Sequence, residues 1–476
     1  MATHSVRYDE HLYVDGAWES TPDHISVPDR AQDGTFARVA AADADDARAA
    51  LRAADRAKAA MSETTIPERA SWCEQIADGI RDRAEELATI IVREAGKPIS
   101  SARGEVESAA ERFDRAASEI RHLHGEYREG TTAGHEGWQA LVKHEPVGTV
   151  LCITPYNYPL GTTALQVAPA LAAGNSVVLT PSSKTPVSAA MLADVISEIE
   201  LPTGAFNFVP GHGSEIGDVL AGDDRVNTVA MTGSSGAGNH VADVSGMVTL
   251  HMELGGNAPA VVCSDADLDE VAPACAKGAL KYAGQRCSAV SRVLVEDSVH
   301  DELVEMMATE MATWEAGDLF EEATDIGPLI SESQAEWVDE LVQDALDRGA
   351  ELVCGGEYDG RMYEPTLLAD VPHDARIIHE EQFGPVAPVA SVADTDEALA
   401  IANGSDLGLD ACVFTADYDR ALSIADRLEA GAVRINGPPS HGIGDIPFGG
   451  IKDSGIGREG IDASIHAMLR EKSVIL

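Results

Sequence analysis

The chain has 476 residues, 44% of them apolar, which is too long for a single core and too apolar for an intrinsically disordered protein. Acidic residues number 80 against 34 basic ones, a formal net charge of −46, and this speaks against nucleic-acid binding, which needs a basic face for phosphates. No run approaches the ~18 apolar residues of a membrane helix, and the cysteines are seven, an odd number with no CxxC, so neither a disulfide framework nor a zinc site is suggested.

The N-terminal MATHSVRYDE lacks the basic start and apolar stretch of a signal peptide, so the expectation is a cytoplasmic protein with reduced thiols. Acid is spread along the chain, as in AADADDARAA (41–50), and lysine is scarce at 8 against 26 arginines. Strong salt screens such self-repulsion, so the composition resembles that of proteins from halophilic microbes. Residues 41–122 read as helices, with apolar residues three and four apart in EQIADGIRDRAEELATIIVREAG (74–96), ending at Gly96. Residues 123–144 are polar and glycine-punctuated, which predicts an arm or hairpin.

From 145 to 263 the pattern alternates. Strands are predicted at 148–154, 175–180, 205–210, 226–232, 247–254 and 258–263, with helices between them at 160–172, 185–198, 213–221 and 236–243. Such alternation argues for a parallel sheet covered on both faces, with ligands at the carboxyl ends of its strands. A second alternating block covers roughly 264–440, with strands expected at 291–296, 385–392, 410–415 and 431–436. REKSVIL (470–476) reads as a lone strand that pairs with another element or subunit.

A dinucleotide site needs backbone N–H groups and a helix N-terminus facing phosphate. The usual GxGxxG is absent, but GHGSEIG (211–217) and MTGSSGAG (231–238) each follow a strand and open a helix. Either alone is equally a tight strand-to-helix turn; two in one sheet favour a nucleotide. GQRCSAV (284–290) carries Cys287 among small and polar neighbours, with Arg286 beside it to favour thiolate. LHMELGGNAP (250–259) puts Glu253 at the end of an apolar strand, where a carboxylate suits a base. TPYNYPL (154–160) puts Asn157 directly after a strand, where an amide can donate to an oxyanion. Read singly, these are a core thiol, a loop carboxylate and a turn residue. Together they supply nucleophile, base and oxyanion donor, and with the glycine loops they describe a thiol enzyme that also transfers hydride. A cofactor-independent thiol esterase using Cys287 and Glu253 is the alternative, and it has no need of the loops.

The set LYVDGAW (12–18), PYNYP (155–159), ALAAGNSVVLTPSSKTP (170–186), MTGSSGAG, MELGGNAP (252–259), GQRCSAV, EEQFGPV (380–386), RINGPP (434–439) and PFGGIKDSGIGREG (447–460) runs in order along the chain. By it the chain resembles the aldehyde dehydrogenase superfamily over essentially its whole length. The resemblance implies an α/β fold of two doubly wound parallel-sheet domains plus an oligomerisation arm. It assigns 1–122 and 145–254 to an NAD(P)-binding domain, 255–462 to a catalytic domain, and 123–144 with 463–476 to the arm and C-terminal strand. It implies NAD or NADP as cofactor, a homodimer or homotetramer, and no metal. The implied catalytic residues are Cys287 as nucleophile, Glu253 as general base, Asn157 with the Cys287 N–H as oxyanion hole, and Glu459 as a second carboxylate in the proton path. Implied cofactor contacts are Thr154, Pro155, Thr180, Ser183, Lys184, Gly213, Gly217, Asp218, Thr232, Gly233, Ser234, Gly238, Leu254 and Gly255, with Glu381 and Phe383 at the nicotinamide ribose and ring.

Thr180 and Ser183 replace a Lys and a Glu usual in the family beside the adenosine ribose. Losing that carboxylate removes repulsion against a 2′-phosphate, and Lys184 stands nearby, so NADP is permitted. Within the family the chain resembles the non-phosphorylating glyceraldehyde-3-phosphate and lactaldehyde dehydrogenases, through GHGSEIGD (211–218), PYNYP and GQRC. Tyr158 and Arg286 match two phosphate-binding positions of the former, whereas Ser108 and His441 stand near two others that are arginines there. A doubly charged phosphate is poorly held by one arginine. The expectation is therefore a small polar or singly anionic aldehyde, such as lactaldehyde or a semialdehyde, contacted by Tyr158, Arg286, Ser288 and His441, with glyceraldehyde 3-phosphate the alternative. The His122/His124 pair and the acidic run 321–325 are read as solvated surface.

Overall fold

The computed structural model describes residues 11–440 and 444–476. His441 lies outside the described residues. Two parallel sheets organise the chain. The first holds eight strands in the order Ala17–Ser20, His11–Val14, Phe206–Phe208, Ser176–Pro181, Thr149–Thr154, Thr228–Thr232, Thr249–Glu253 and Gly455–Ile456. Its five central strands are parallel, and the flanking pairings at His11–Val14 and Gly455–Ile456 are antiparallel. The central strands are buried on both faces, as their Val-, Leu- and Ala-rich runs require. The second sheet has seven strands in the order Glu351–Cys354, Thr366–Ala369, Val386–Val392, Val290–Glu296, Ala258–Val262, Asp410–Phe414 and Ala432–Ile435, all parallel except the first.

The expected strands and intervening helices from 145 to 263 all form, within a few residues of the expected bounds. The four strands between His11 and Ala40 lie outside the expected elements. Two of them extend the first sheet, and the other two make a separate hairpin whose polar outer face hides the alternation. Between 41 and 122 four helices form, the first two opened by capping boxes at Asp43 and Thr65. The helix Ile99–Ile120 packs against Ile66–Asp82 and Gly161–Ala172. The polar stretch after it is a hairpin, Glu126–Glu129 against Gln139–Pro146, and Leu469–Ile475 adds a third strand through seven residue pairs.

Candidate active site

The carboxyl ends of the first sheet open onto a cavity of about 830 Å³. Four loops from that edge line it: Thr154–Asn157, Thr180–Lys184, Gly211–Asp218 and Met231–Ser234. The helices Gly213–Ala221 and Ser235–Val244 begin there. His212 supplies no side-chain cap to the first, while the hydroxyl of Ser234 accepts the Ala237 N–H at 3.3 Å in the second. Added Cβ atoms at Gly213, Gly217 and Gly236 would meet nothing within 4 Å, so a ligand can come close to the backbone there. Two helix N-termini, open glycines and Lys184 make an anion-accepting cradle that fits a dinucleotide pyrophosphate.

From the helix Glu332–Asp347 and from turns before strands of the second sheet come Cys287, Gln334, Trp337, Glu381 and Phe383, all on the same cavity. Cys287 sits at the end of a strained turn in which Tyr282 and Ala283 hold φ of 57° and 50°. Gly284 follows with φ of 68°, and a Cβ there would stand 2.0 Å from the Gly384 carbonyl oxygen, so only glycine lets the turn pass. The side-chain oxygen of Gln285 accepts the Ile330 N–H at 2.9 Å, and its amide donates to the Pro328 carbonyl. Asn157 then joins the two halves, its Nδ2 donating to the Gln285 carbonyl at 2.9 Å. One of the two amide hydrogens is thereby engaged, and the other is left for a reacting oxygen.

The half-buried Cys287 has a thiol pKa pushed upward, chiefly by burial and then by Glu381 and Asp410. Arg286 acts in the opposite sense but does not prevail, which corrects the expectation that it favours thiolate. The guanidinium donates instead to Ser288 Oγ and the Pro439 carbonyl. Burial thus favours the protonated thiol, and attack by this sulfur would require a base to take its proton.

Glu253 is buried, and neither carboxylate oxygen completes a hydrogen bond. Burial pushes its pKa well up, and Glu459 adds to this, against the pull of Arg458 and the Gly450 amide. A carboxyl so placed holds a proton more readily than an exposed one. Glu459 is buried too, its backbone paired with Phe448. Glu381 Oε1 accepts the Gly256 N–H at 2.9 Å. Burial pushes Glu381 up to about 7 while the Gly256 N–H holds it down. Trp337 Nε1 donates to the Glu381 carbonyl, and Gln334 Nε2 to those of Gln382 and Phe383. Phe383 takes φ of 50° and meets the Tyr156 ring edge-on.

The cavity thus gathers Asn157, Cys287, Thr154, Pro155, Thr180, Ser183, Lys184, Gly213, Gly217, Asp218, Thr232, Gly233, Ser234, Leu254, Gly255, Glu381 and Phe383. Gly238 is not on its wall: a Cβ there would stand 2.4 Å from the Leu254 side chain, so this glycine allows helix-to-strand packing. Ser288 is likewise off the wall and buried, its hydroxyl engaged by Arg286. Tyr158, Arg286, Glu253 and Glu459 are not on the cavity wall either. Sequence reasoning missed Gln334 and Trp337. They lie on the amphipathic helix Glu332–Asp347, whose pattern reads as an ordinary surface helix. It also missed His240, whose Nε2 lies 2.7 Å from Asp218 and links the two glycine-loop helices.

Residues 18–474 match the model of the aldehyde dehydrogenase family. The chain belongs to the aldehyde dehydrogenase family. It is an aldehyde-oxidising oxidoreductase. The chain is 38% identical over 465 residues to the NADP-dependent glyceraldehyde-3-phosphate dehydrogenase of Streptococcus equinus, covering 97% of this chain and 98% of that one. It is 36% identical to a 3-sulfolactaldehyde dehydrogenase of Priestia aryabhattai, covering 98% and 97%. The crystal structure of NADP-dependent glyceraldehyde-3-phosphate dehydrogenase from Bacillus halodurans, complexed with NADP, superposes with a TM-score of 0.97 at 36% identity, covering 98% of this chain and 99% of that one. Among the described residues, no helix is long and apolar enough to cross a membrane.

Proposed function

We propose that this aldehyde dehydrogenase uses NAD or NADP to oxidise a small polar or singly anionic aldehyde to its carboxylic acid. The observation that carries the reading is the meeting of Cys287 and Asn157 with the glycine cradle, Glu381 and Phe383 on one cavity. The glycine loops and Lys184 would hold the pyrophosphate and adenosine, and Glu381 the nicotinamide ribose. Bound there, the oxidised nicotinamide supplies the hydride acceptor.

Cys287 Sγ attacks the carbonyl carbon and its proton passes to a base. The alkoxide that develops accepts from Asn157 Nδ2 and the Cys287 N–H, an effect of about 3 kcal/mol for each well-placed donor. Loss of hydride from the carbon leaves a thioester on Cys287. Glu253 then takes a proton from water, whose oxygen attacks the thioester carbon, breaking the C–S bond and releasing the acid and the Cys287 thiolate. Glu459 receives the proton onward from Glu253.

We assign 1–122 with 145–254 to cofactor binding, 255–462 to catalysis, and 123–144 with 463–476 to an arm that joins copies into a dimer or tetramer in the cytoplasm. The test is a grid of aldehydes against NAD and NADP, followed at 340 nm in molar KCl. Reduced cofactor is expected with wild type and none with Cys287→Ala. Aldehyde-independent ester hydrolysis without cofactor reduction would instead favour the thiol esterase.

A further inference from the structure

The turn that carries Asn157 runs into the helix Gly161–Ala172, which opens at Leu160 with no side-chain cap of its own. The missing acceptor comes from a distant segment. Glu105, on the helix Ile99–Ile120, accepts the N–H groups of Leu160 and Gly161 on Oε1, at 3.1 and 3.0 Å. Its Oε2 takes the ammonium of Lys97, and both side chains are almost wholly removed from solvent. Lys97 Nζ in turn lies 3.4 Å from the ring centroid of Tyr158 and 4.4 Å from that of Tyr282. The two rings meet edge to face, with centroids 5.9 Å apart.

These tyrosines belong to the two turns that form the site. Tyr158 directly follows Asn157. Tyr282, with φ of 57°, opens the strained turn that leads to Cys287, and its hydroxyl donates at 3.0 Å to the carbonyl of Ala95, two residues before Lys97. The same two turns meet again where Asn157 Nδ2 donates to the Gln285 carbonyl. Two charges buried this deeply are seldom the most stable filling for their space, since apolar side chains of the same volume serve as well or better. What they add is direction. The carboxylate can only accept and the ammonium only donate, so each fixes the groups around it.

We infer that Lys97 and Glu105 are positioning residues, a buried ion pair that holds the Asn157 turn and the Cys287 turn in register, so that oxyanion donor and nucleophile meet one carbonyl group. The inference rests on the aldehyde dehydrogenase reading and adds to it two residues away from the cavity wall. They act through Tyr158, Tyr282 and the start of the helix Gly161–Ala172.

The test compares wild type with Lys97→Met, Glu105→Gln and the double variant. Each single change leaves one buried charge alone, so both should unfold at a temperature lower by about 5 °C or more. The double variant removes both charges, and its thermal midpoint should return to within about 3 °C of wild type. Its kcat should nevertheless stay about 30-fold down, with KM for the cofactor within about twofold. Hydrogen exchange followed by mass spectrometry gives a readout without turnover. In the double variant, peptides covering 155–161 and 282–287 should both exchange about tenfold faster, while the remote helix Thr395–Asn403 keeps its wild-type rate. A double variant with near-wild-type kcat, or with exchange unchanged in either turn, would overturn the inference. So would faster exchange spread evenly over the chain, or a double variant as unstable as the singles, since either marks a packing role. If wild type reduced no cofactor with any aldehyde, the parent reading would fail, and exchange in the two turns would still decide whether the pair braces them.

Discussion

Gly256 and Cys287 approach so closely that a Cβ on Gly256 would stand 2.0 Å from the Cys287 carbonyl oxygen. The same Gly256 donates its N–H to Glu381. One glycine therefore sets both the position of Cys287 and the orientation of the Glu381 carboxylate. Gly256→Ala should push the cysteine backbone aside and lower kcat about 100-fold or more, since small misplacements of reacting groups are costly. Steady-state rates at 340 nm, with circular dichroism to verify folding, give the answer; a loss under threefold would mean that the backbone gives way freely.

Glu253 is assigned to thioester hydrolysis. Glu253→Gln should then release one equivalent of reduced cofactor per active site in a rapid burst and fall at least 100-fold in steady turnover. Because burial and Glu459 raise the wild-type pKa, the turnover rate should decline as pH falls through that raised value, well above the usual carboxylate range. Stopped-flow absorbance separates the two phases. Loss of the burst as well would assign Glu253 to deprotonation of the thiol.

Ser183 lies on the cavity wall beside Lys184, whose Nζ is 5.1 Å from the Tyr156 ring centroid. A carboxylate placed there repels a 2′-phosphate. Ser183→Glu should cut kcat/KM for NADP about tenfold or more and leave NAD within about threefold. Parallel losses with both cofactors would move the adenosine ribose away from this loop.

Glu94 is fully buried and accepts the N–H groups of Val187 and Ser188 at 2.7 and 2.9 Å, capping the helix that follows the Thr180–Lys184 loop. Burial pushes its pKa up from 4.5 to about 7. A carboxyl raised in the folded state binds its proton more tightly there than in the unfolded chain. Its stabilising effect is complete below about pH 4.5 and disappears as pH rises through about 7. Against Glu94→Gln, which does not titrate, wild type should lose on the order of 3 kcal/mol of relative stability across that window. Denaturant titrations of both proteins at several pH values test this, and parallel curves would refute it.

The net charge of −46 makes a salt prediction direct. Raising KCl from 0.1 to 1 M shortens the screening length from about 10 to about 3 Å and relieves self-repulsion. The midpoint of thermal unfolding should rise by more than about 10 °C over that range. A flat or falling midpoint would remove the halophilic reading.

Much of this architecture was legible because the relevant signals are local. Apolar runs of five to seven residues bounded by glycine mark buried parallel strands, and Asn157 and Glu253 stand at strand ends of one sheet, whereas Cys287 precedes a strand of the other. What stayed hidden depends on contacts between distant segments. Trp337 reaches Glu381 across 44 residues, and the helix pattern around it says only which face is apolar. Glu105 looks like one more acid in an acidic helix until the amides of Leu160 and Gly161 are seen against it. The charge balance at Cys287 was misjudged because adjacency to Arg286 is visible in the sequence, whereas burial and Glu381 are not. The pairing of Gly455–Ile456 with Thr249–Glu253 crosses between the two sheets' segments, and no local pattern marks it.

The strand Gln139–Pro146 takes its seven-pair partner from Leu469–Ile475, with Arg470 meeting Glu145 across 325 residues. On the ribosome the first of these strands emerges long before the second. Until that partner is made, one edge of it carries unpaired amides and carbonyls, open to a sister chain. This three-stranded sheet therefore waits on a distant segment for its closure, and its open edge is where strands of two nascent copies can exchange.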